Sequence, residues 1–511
     1  MRNTLLMSVD LGTTFIKVGV YDAGSACVAC AVSAVKSDTP SPGVFIQRGD
    51  DIFESVVECI KLSCGQLGER SGDVAAIAFT GQMAGFIGVD KNWNDITTWS
   101  CSLDSRYMPY AVRQLETLKD DFLKISGAND PQMAPKYEWF KTEFSEEAKK
   151  IAKYMSLSSY VLGRLGEVPI ENAVIAKSYL QWTGLADVKN GAWSPKLCDA
   201  VKMDRSHLPN IVEANEICGR LSKTIAKSTG LTAGIPLVAG AGDKAAGCLG
   251  AGIVDPGQMI FEASSYGAIT CCIDTFQMDT EKRRYDIVPS PIPGYFFAMH
   301  YIAGSGITLD WFIKTFGDGK TDIGKLFQDI DSKVEKIKPG CEGLMAIGLL
   351  GGSSQPLDGA LRGMWMGFNW SHKKEHFYRA LLESYSYDFT YTIERFEDIF
   401  REYTMDKIKV IGGGAKSRVW TQMNADVAGK TYQHLDRDDI ALWGAAIMSG
   451  NAVGVFADMK ETAISHVNIK QEFYPNMEQH RLYKPFLSLY KKYTVDMRGY
   501  FRQVQDLSTE N

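Results

Sequence analysis

The sequence predicts an α/β protein made of two similar halves with a cleft between them. Residues 7–22, MSVDLGTTFIKVGVYD, read as an apolar strand that breaks at a Gly-Thr-Thr turn and folds back. Residues 259–270, MIFEASSYGAIT, repeat this pattern with Ala-Ser-Ser at the turn. A second similar pair, DVAAIAFTGQ at 73–82 and DKIKVIGGGA at 406–415, follows in the same order. Two repeated patterns in one order indicate a duplicated α/β unit with a nucleotide between its halves.

The first hairpin contains the residues needed to hold phosphate. Gly12 allows backbone N–H groups to approach an anion, and Thr13 and Thr14 add hydroxyl donors. Asp10, just before the turn, can hold a hydrated Mg²⁺ against phosphate oxygens. No GxxxxGK[ST] pattern follows, so the turn is not a P-loop. The alternative is an ordinary surface hairpin with Gly and Thr at its turn.

Composition is that of a large globular protein. A chain of 511 residues with 45% hydrophobic and 23% charged residues should form two or more domains. We place these domains at residues 1–246 and 247–511. The net charge of −6 argues against nucleic-acid and anionic-membrane partners, because both need a concentrated basic surface.

The location expected from the sequence is the cytoplasm. The first strand lacks the residue order of a signal peptide, and no apolar run reaches the roughly 18 residues of a membrane span. Eleven cysteines are dispersed along the chain, and the single CxxC, at Cys27 and Cys30, has no second one to complete a zinc site. This pattern disfavours disulfides and zinc sites and favours a reducing compartment.

Apolar periodicity predicts the other main elements. These are helices at 51–67, 375–400 and 441–448 and a strand at 74–79. Residues 105–215 are largely helical in pattern, and we interpret them as an insertion that forms a lobe around a substrate. The run LVAGAGD at 237–243 is predicted to be a buried strand that ends in Asp243 before a glycine-rich turn. That position suits a catalytic carboxylate, and a helix N-cap is the alternative.

Two longer motifs carry a family resemblance that extends over essentially the whole chain. MAPKYEWFKTE at 133–143 and GMWMGFNWSHKKEHFYRALLE at 363–383 resemble the two signatures of the FGGY family of carbohydrate kinases, which includes xylulokinases. The segments GAGDKAAGCLGAG and GGGAKSRVWTQMNADVAGK also fit this family. The resemblance implies two duplicated domains of the actin-like ATPase type, which is ribonuclease H-like, with a cleft between them.

The resemblance implies roles for residues of the first half. Asp243 matches the family's catalytic aspartate and would accept the proton of the sugar hydroxyl. Asp10 would hold Mg²⁺ through water. Thr13, Thr14 and Lys17 would contact the β- and γ-phosphates of ATP.

The second half should bind the adenosine end of the nucleotide. The glycine run at 412–414 implies a backbone that passes close to a ligand or makes a tight turn. In the family this run approaches the α-phosphate and adenosine, and a serine pair supplies hydroxyls to the γ-phosphate. A further glycine segment resembles one near the nucleotide, although a plain turn is the alternative. The residues implied here are Ser264, Ser265, Gly304, Gly413, Gly414 and Gln422.

The match to a particular sugar is incomplete. The substrate-binding residues that the resemblance implies are Gln82, Met83, Trp99, Asp104, Arg106 and Asp243. Ketopentose kinases have Gln-Met-His where this chain has Gln-Met followed by Ala84. The loop from the tryptophan to the arginine is longer than usual, which also resembles autoinducer-2 kinases. GGSS at 351–354 replaces the usual Gly-Glu-Arg, which opposes a strict xylulokinase assignment.

These features predict an ATP-dependent, Mg²⁺-requiring sugar kinase that transfers the γ-phosphate to a primary hydroxyl of a small open-chain ketose or polyol. D-xylulose-like substrates come first, and an autoinducer-2 or erythritol-type kinase is the alternative within the family. A non-kinase actin-like ATPase or sensor is the alternative from another class. The expected partner is a small sugar or polyol, without nucleic acid or membrane, and a homodimer is left open.

Overall fold

Two mixed β-sheets, one from each half of the chain, form the framework of the protein. The computed structural model describes residues 4–302, 304–317 and 322–509. The strands of the first half are β1 (Leu5–Leu11), β2 (Phe15–Asp22), β3 (Cys27–Ala34), β4 (Val74–Gly81), β5 (Gly85–Val89), β6 (Ser100–Cys101), β7 (Lys153–Met155), β8 (Val174–Ala176), β9 (Ala186–Asp187), β10 (Ala192–Trp193), β11 (Asn210–Val212), β12 (Ile217–Arg220) and β13 (Pro236–Val238). The helices of this half are α1 (Gly49–Leu67), α2 (Met108–Asp121), α3 (Met133–Glu143), α4 (Ser145–Ala148), α5 (Leu157–Gly166), α6 (Leu180–Thr183), α7 (Pro195–Ala200), α8 (Lys223–Thr229) and α9 (Asp243–Gly250).

The second half continues the alternation of strands and helices. Its strands are β14 (Met259–Glu262), β15 (Gly267–Ile273), β16 (Asp286–Pro289), β17 (Phe296–Ile302), β18 (Met345–Ile347), β19 (Ser353–Ser354), β20 (Leu357–Asp358), β21 (Met364–Met366), β22 (Lys407–Ile411), β23 (Thr431–Leu435) and β24 (Ile469–Phe473). Its helices are α10 (Ser305–Phe316), α11 (Ile323–Val334), α12 (Lys374–Ile399), α13 (Arg418–Ala428), α14 (Ile440–Ala452), α15 (Met459–Ser465) and α16 (Met477–Thr509).

The two sheets share one topology, which confirms the predicted duplication. The first sheet has the order β3-β2-β1-β4-β13-β12, and the second has β17-β15-β14-β22-β23-β24 with β16 added at one edge. In each sheet the first strand pairs antiparallel with its hairpin partner and parallel with the later strand, which is β4 in one half and β22 in the other. Each parallel pair is joined through an intervening crossover, as parallel strands require.

The central strand β1 is buried along almost its whole length. Because successive strand residues point to opposite faces, this burial means that the sheet is covered on both sides. Helix α1 packs on β2 and β3, and α14 packs on β1 and β4. The apolar sequence of β1 therefore fits a strand at the middle of a two-sided α/β layer.

Most elements predicted from periodicity are present. The helices expected at 51–67, 375–400 and 441–448 correspond to α1, α12 and α14, and the strand expected at 74–79 is β4. The lobe at 105–215 is less helical than predicted, because short strands pair with remote partners there, β7 with β5 and β8 with β11. Such pairing depends on tertiary contacts that local propensity does not report. The lobe also has an aromatic core of its own, which includes Phe86, Tyr107, Trp139, Phe140 and Tyr154.

The strand predicted at 237–243 is much shorter in the structure. Strand β13 ends at Val238, and Asp243 is instead the first residue of helix α9. Gly240 has φ of +74°, and a Cβ at this position would lie 1.7 Å from the carbonyl oxygen of Phe79. The left-handed turn therefore takes the chain out of the sheet before Asp243.

Helix α14 belongs to the second half of the sequence but contributes to the core of the first. Trp443 is fully buried there, and the Tyr21 hydroxyl donates to Asp439 Oδ2 at 2.6 Å. A Cβ at Gly444 would lie 1.9 Å from the Ala246 carbonyl oxygen, so the backbones of α14 and α9 are in contact. The proposed domain boundary at 246/247 falls within α9 and stays a prediction.

Across residues 4–302, 304–317 and 322–509, no helix combines the length and the apolar character that crossing a bilayer requires.

We predict that Gly444→Ala destabilises the protein by about 2 kcal/mol or more, because the added methyl group separates two helices whose backbones touch. The midpoint of urea unfolding should fall. Gly65→Ala is the matched control, since nothing lies within 4 Å of its Cβ position on helix α1. That control should be neutral or stabilising by up to about 1 kcal/mol. Equal midpoints for Gly444→Ala and the wild type would contradict the close helix contact.

Candidate active site

The Gly-Thr-Thr turn joins β1 to β2 and leaves part of its surface open. A Cβ at Gly12 would lie 2.6 Å from the Phe15 carbonyl oxygen, so the turn requires glycine. The Thr13 carbonyl accepts a hydrogen bond from Gln47 Nε2 at 2.8 Å, and Thr14 is exposed. Gln47 thus holds the backbone of the turn, while the exposed side of the turn at Thr14 remains accessible to an anion.

Asp10 lies near the end of β1, directly opposite Lys17 in the β1–β2 register. Burial raises the pKa of the Asp10 carboxyl, and the nearby Lys17 ammonium opposes this rise. Lys17 itself is exposed. A partly buried carboxylate beside an accessible lysine and a phosphate-sized turn is a suitable setting for a metal–phosphate complex.

Asp243 is the first residue of α9, and its side chain is partly buried. Its Oδ1 accepts a hydrogen bond from the Lys244 backbone N–H at 2.7 Å. Burial raises the pKa of Asp243 to about 6, Lys244 opposes the rise, and Glu262 and Asp10 add to it. The Asp10 and Asp243 carboxylates therefore lie close enough to interact. Asp243 is ionised at neutral pH, and its pKa is near the range in which a general base is most effective.

An ion pair that the sequence patterns did not reveal joins the two halves next to Asp243. Lys244 Nζ lies 2.5 Å from Glu262 Oε2, and Glu262 is the last residue of β14. Glu262 comes just before the Ala-Ser-Ser turn, so its place at the end of the repeated strand was a usable signal. The pair places a second cation among the carboxylates of the cleft.

Gln82, Met83 and Trp99 form one packed group beside α9. Trp99 is fully buried and donates from Nε1 to Gln82 Oε1 at 3.1 Å. Within the described part of the chain, Gln82 Nε2 has no hydrogen-bond partner. Met83 contacts the backbone of Gly242, where a Cβ would lie 2.4 Å from Met83 Cγ. Trp99 therefore orients Gln82, whose amide donor is free for a substrate, and a direct sugar contact by Trp99 stays a prediction.

Asp104 and Arg106 form a bidentate ion pair that shapes the following loop. Arg106 Nε and Nη2 donate to the two Asp104 oxygens at 2.8 Å each, and the Ser100 hydroxyl donates to Asp104 Oδ2 at 3.0 Å. The Arg106 guanidinium lies 4.7 Å from the centre of the Trp139 ring. Both Asp104 oxygens thus have partners, and the pair organises the loop.

The motif at residues 133–143 contacts the loop that contains Asp104 and Arg106. Lys136 is fully buried and donates from Nζ to the carbonyl oxygens of Ser100 and Cys101 at 2.9 and 2.6 Å. Burial lowers its pKa to about 8, while Cys101, Asp104 and Asp130 oppose this change. Lys136 and Trp139 therefore hold the loop that contains Asp104 and Arg106, a structural role that the motif alone did not reveal.

A pocket of about 590 Å³ in the second half contains four of the residues predicted to bind nucleotide, which are Ser264, Ser265, Gly413 and Gly414. Its other walls include apolar side chains that suit a flat base, namely Leu309, Phe327, Leu382 and Trp420. Gly304 precedes helix α10 with φ of +83°, beside the pocket-lining Gly306.

Gln422 lies apart from these four residues. It lines a neighbouring pocket of about 960 Å³, and its Nε2 donates to Asp426 Oδ1 and the Tyr474 carbonyl oxygen at 2.8 Å each. The two pockets share Gln328, Asp331 and Lys416 on their walls. The structure therefore brings Gly413 and Gly414 to the serine pair but not Gln422.

The chain matches known protein-family models over most of its length. Residues 5–250 match the model of the FGGY family of carbohydrate kinases, N-terminal domain, and residues 264–453 match that of the C-terminal domain. The chain belongs to the FGGY family of carbohydrate kinases. It is accordingly a sugar kinase, and the predicted actin-like, two-domain α/β fold is confirmed.

Curated relatives of this FGGY kinase differ in the substrate that their names give. A xylulose kinase from Bacillus subtilis strain 168 is 26% identical over 95% of this chain and 96% of its own length. A gluconokinase from the same organism is 27% identical over 88% of each chain. An autoinducer-2 kinase from Klebsiella pneumoniae is 24% identical over 97% of this chain and 94% of its own. At these identities the family is shown and the sugar is not.

Solved structures of sugar kinases have the same fold as this chain. A ligand-bound xylulose kinase from Lactobacillus acidophilus superposes with a TM-score of 0.89 at 19% identity and covers 98% of this chain and 100% of its own. A gluconate kinase from the same organism also has a TM-score of 0.89, at 20% identity, covering 98% and 99%.

We predict that Asp243→Asn makes the metal-free protein more stable above pH 6. A carboxyl whose pKa rises from 3.8 to about 6 on folding loses about 3 kcal/mol of stability when it ionises, at about 1.4 kcal/mol per pKa unit. Stability of the wild type should therefore fall between pH 4 and pH 6, and the asparagine variant should not show this loss. Urea unfolding in EDTA at pH 4 and pH 8 measures the difference.

Asp204→Asn is the control for this experiment. The Asp204 carboxylate is exposed and accepts a hydrogen bond from the Ser206 N–H, which lowers its pKa. Its replacement should therefore bring no gain above pH 6. An Asp243→Asn variant with the pH dependence of the wild type would contradict the buried, raised-pKa carboxyl.

Proposed function

We propose that this FGGY kinase transfers the γ-phosphate of ATP to a primary hydroxyl of a small open-chain ketose or polyol, with D-xylulose-like substrates first. The observation that carries the proposal is Asp243, a partly buried carboxylate at a helix start between the phosphate-type turn and the Gln82 group. Its pKa of about 6 leaves it ionised at neutral pH and still basic enough to accept the proton of an attacking hydroxyl.

Donors around the turn support phosphate binding at one end of the cleft. The Gly12–Thr14 turn, Lys17 and the Ser264–Ser265 pair offer backbone N–H groups, hydroxyls and one ammonium. Such groups stabilise charge on a transferring phosphoryl group. The apolar pocket beside Gly413 and Gly414 is suited to adenosine.

The residues present fit a Mg²⁺ ion that arrives with the nucleotide. Among the described residues, no group of three or more His, Cys, Asp or Glu side chains is arranged to hold a metal by itself. Mg²⁺ usually binds through one or two carboxylates, water and substrate phosphates, and Asp10 with the neighbouring Asp243 meets that requirement. When bound, the ion would neutralise phosphate charge.

The Gln82–Met83 pair supports a ketose or polyol. The Gln82 amide N–H group has no partner, and Trp99 and Gly242 fix the position of the Gln82–Met83 pair. A hydroxyl or carbonyl oxygen of the substrate can accept a hydrogen bond from this amide. Ala84, in place of a histidine, and the longer loop to Arg106 leave the autoinducer-2 and erythritol-type activities as alternatives.

All eleven cysteines are free, which supports a reducing compartment such as the cytoplasm.

A substrate screen tests the proposal directly. ADP release should be measured with ATP and Mg²⁺ against pentuloses, hexuloses, four- and five-carbon polyols, aldonates and autoinducer-2. We expect the highest kcat/KM with D-xylulose or a closely related ketose or polyol. If none of the ketoses or polyols stimulated ADP release, the proposed substrate class would be wrong.

We predict that Asp243→Asn lowers kcat by roughly 10²–10⁴-fold, because the amide can still hydrogen-bond the hydroxyl but cannot take its proton. Binding of ADP and of the sugar should stay near the wild-type affinity by calorimetry. Asp10→Asn is the comparison, and its loss of rate should be partly restored by higher Mg²⁺. If Asp243→Asn kept more than about a tenth of the wild-type kcat, the base would have to be another group.

A further inference from the structure

Beyond the sugar loop lies a group of buried side-chain oxygen atoms that lack hydrogen-bond donors. Four side-chain oxygens have no hydrogen-bond partner within the described ranges: Asn129 Oδ1, Asp130 Oδ1, Gln132 Oε1 and Gln181 Oε1. Gln181 is fully buried, and Asn129 is 5% exposed. Buried acceptors without donors cost free energy, so four of them in one region indicate that a ligand supplies the hydrogen atoms. We call Asn129, Asp130, Gln132, Gln181 and Asp286 the acceptor cluster.

Asp286 of the second half determines which way the amides point. Its Oδ1 accepts hydrogen bonds from the Asn129 backbone N–H and from Asn129 Nδ2, at 2.9 and 2.8 Å. Its Oδ2 accepts from Gln181 Nε2 at 3.4 Å. Because the Asn129 and Gln181 amide donors are directed to Asp286, the oxygens of these two amides are left without partners.

Asp130 adds a carboxylate to this group. Burial raises its pKa to about 7, Asp286 adds to the rise, and Lys136 opposes it. Asp130 is only partly buried, so it remains within reach of a ligand in the cleft. Lys136 does not turn the cluster into an anion site, because it donates to the carbonyl oxygens of Ser100 and Cys101.

The acceptor cluster is continuous with the site of Asp243. The Ser178 hydroxyl accepts a hydrogen bond from the Gly242 N–H at 3.0 Å, next to Asp243. Gln181 follows Ser178 by three residues at the start of α6, a distance of about 5 Å along a helix. The Gln132 N–H donates to the Trp182 carbonyl oxygen at 2.9 Å, which ties the two cluster segments together.

We propose that the acceptor cluster binds the hydroxyl groups at the end of the substrate remote from the phosphorylated carbon, and that it selects neutral polyhydroxylated substrates over aldonates. This inference rests on the proposed function and names the substrate class more closely. Hydroxyls donate to the unpartnered oxygens, whereas the carboxylate of an aldonate is itself only an acceptor and meets the acceptor oxygens of Asn129, Gln132 and Gln181 without a hydrogen atom to share. The Trp182 indole N–H, also without a partner in the described chain, can donate to a hydroxyl oxygen.

The test compares D-xylulose, 1-deoxy-D-xylulose and D-xylonate, which share a five-carbon chain. For the wild type, kcat/KM for D-xylulose should exceed that for the 1-deoxy sugar by at least tenfold, and D-xylonate should be poorer still. Asp130→Ala should raise the D-xylulose KM by about 10–100-fold, leave kcat within about threefold, and reduce the preference over the 1-deoxy sugar to near unity.

Asp130→Asn keeps an oxygen acceptor and removes the charge. It should keep the D-xylulose KM within about threefold and raise kcat/KM for D-xylonate about tenfold. Asp199→Asn, an exposed carboxylate of the same lobe, is the matched control and should change neither ratio. ADP affinity by calorimetry and the melting temperature confirm that each variant is folded.

Two outcomes would overturn the inference, and a third concerns only the proposed function. Asp130 variants that are folded but keep all wild-type ratios would remove the cluster from the substrate site. A wild type that prefers D-xylonate would contradict an acceptor-lined end of the cleft. If no sugar stimulated ADP release while ADP still bound, the proposed kinase substrate would fail, and calorimetry with D-xylulose and D-xylonate would then test the cluster by binding alone.

Discussion

The contact between the backbones of α9 and α14 is the constraint on which the active site depends. Gly250 and Gly444 leave no room for a side chain between these helices, and each would place a Cβ within about 2 Å of a carbonyl oxygen of the other helix. Because α9 begins with Asp243, the position of this carboxylate follows from how α9 packs. An error of about 1 Å in placing a catalytic group can cost about 10²-fold in rate. Both halves of the chain therefore position the proposed base.

Burial of charge is the second feature that the site shares across its parts. Asp10, Asp243 and Glu262 converge near the ends of β1, α9 and β14, where Lys17 and Lys244 oppose them. At Asp243 the effect of burial exceeds that of the Lys244 charge and raises the pKa of the carboxyl. The raised pKa lowers the stability of the fold at neutral pH but suits proton transfer. Such a loss of stability at a reactive group is the usual relation between stability and activity.

The two ends of the cleft are complementary to different chemistry. The end near the glycine turns and serines presents hydrogen-bond donors and a lysine, which suits phosphate. The other end presents oxygen acceptors around Asp286 that lack donors. ATP, which carries the negative charge, matches the end with donors, and a sugar rich in hydroxyls matches the end with acceptors. In the proposal above, the acceptor end favours a neutral sugar, as the name xylulose kinase gives, over an aldonate, as the name gluconokinase gives.

The sequence by itself determined the features that are local. The β1–β2 hairpin, its repeat at β14–β15, and helices α1 and α12 follow from turn residues and apolar periods within short windows. The resemblance in two motifs also identified the family. These predictions succeeded because each depends on residues that are neighbours in the chain.

Only the tertiary structure decided the features that join distant segments. Residues 237–243 have a strand pattern, yet Gly240 turns away from the sheet against Phe79, and Asp243 starts a helix. Trp99 has the residue type of a sugar-stacking side chain but is fully buried. Asn129 and Asp286 are 157 residues apart and meet in one hydrogen-bonded group. A sequence pattern reports local conformation, whereas burial and pairing depend on which remote surfaces the fold brings together.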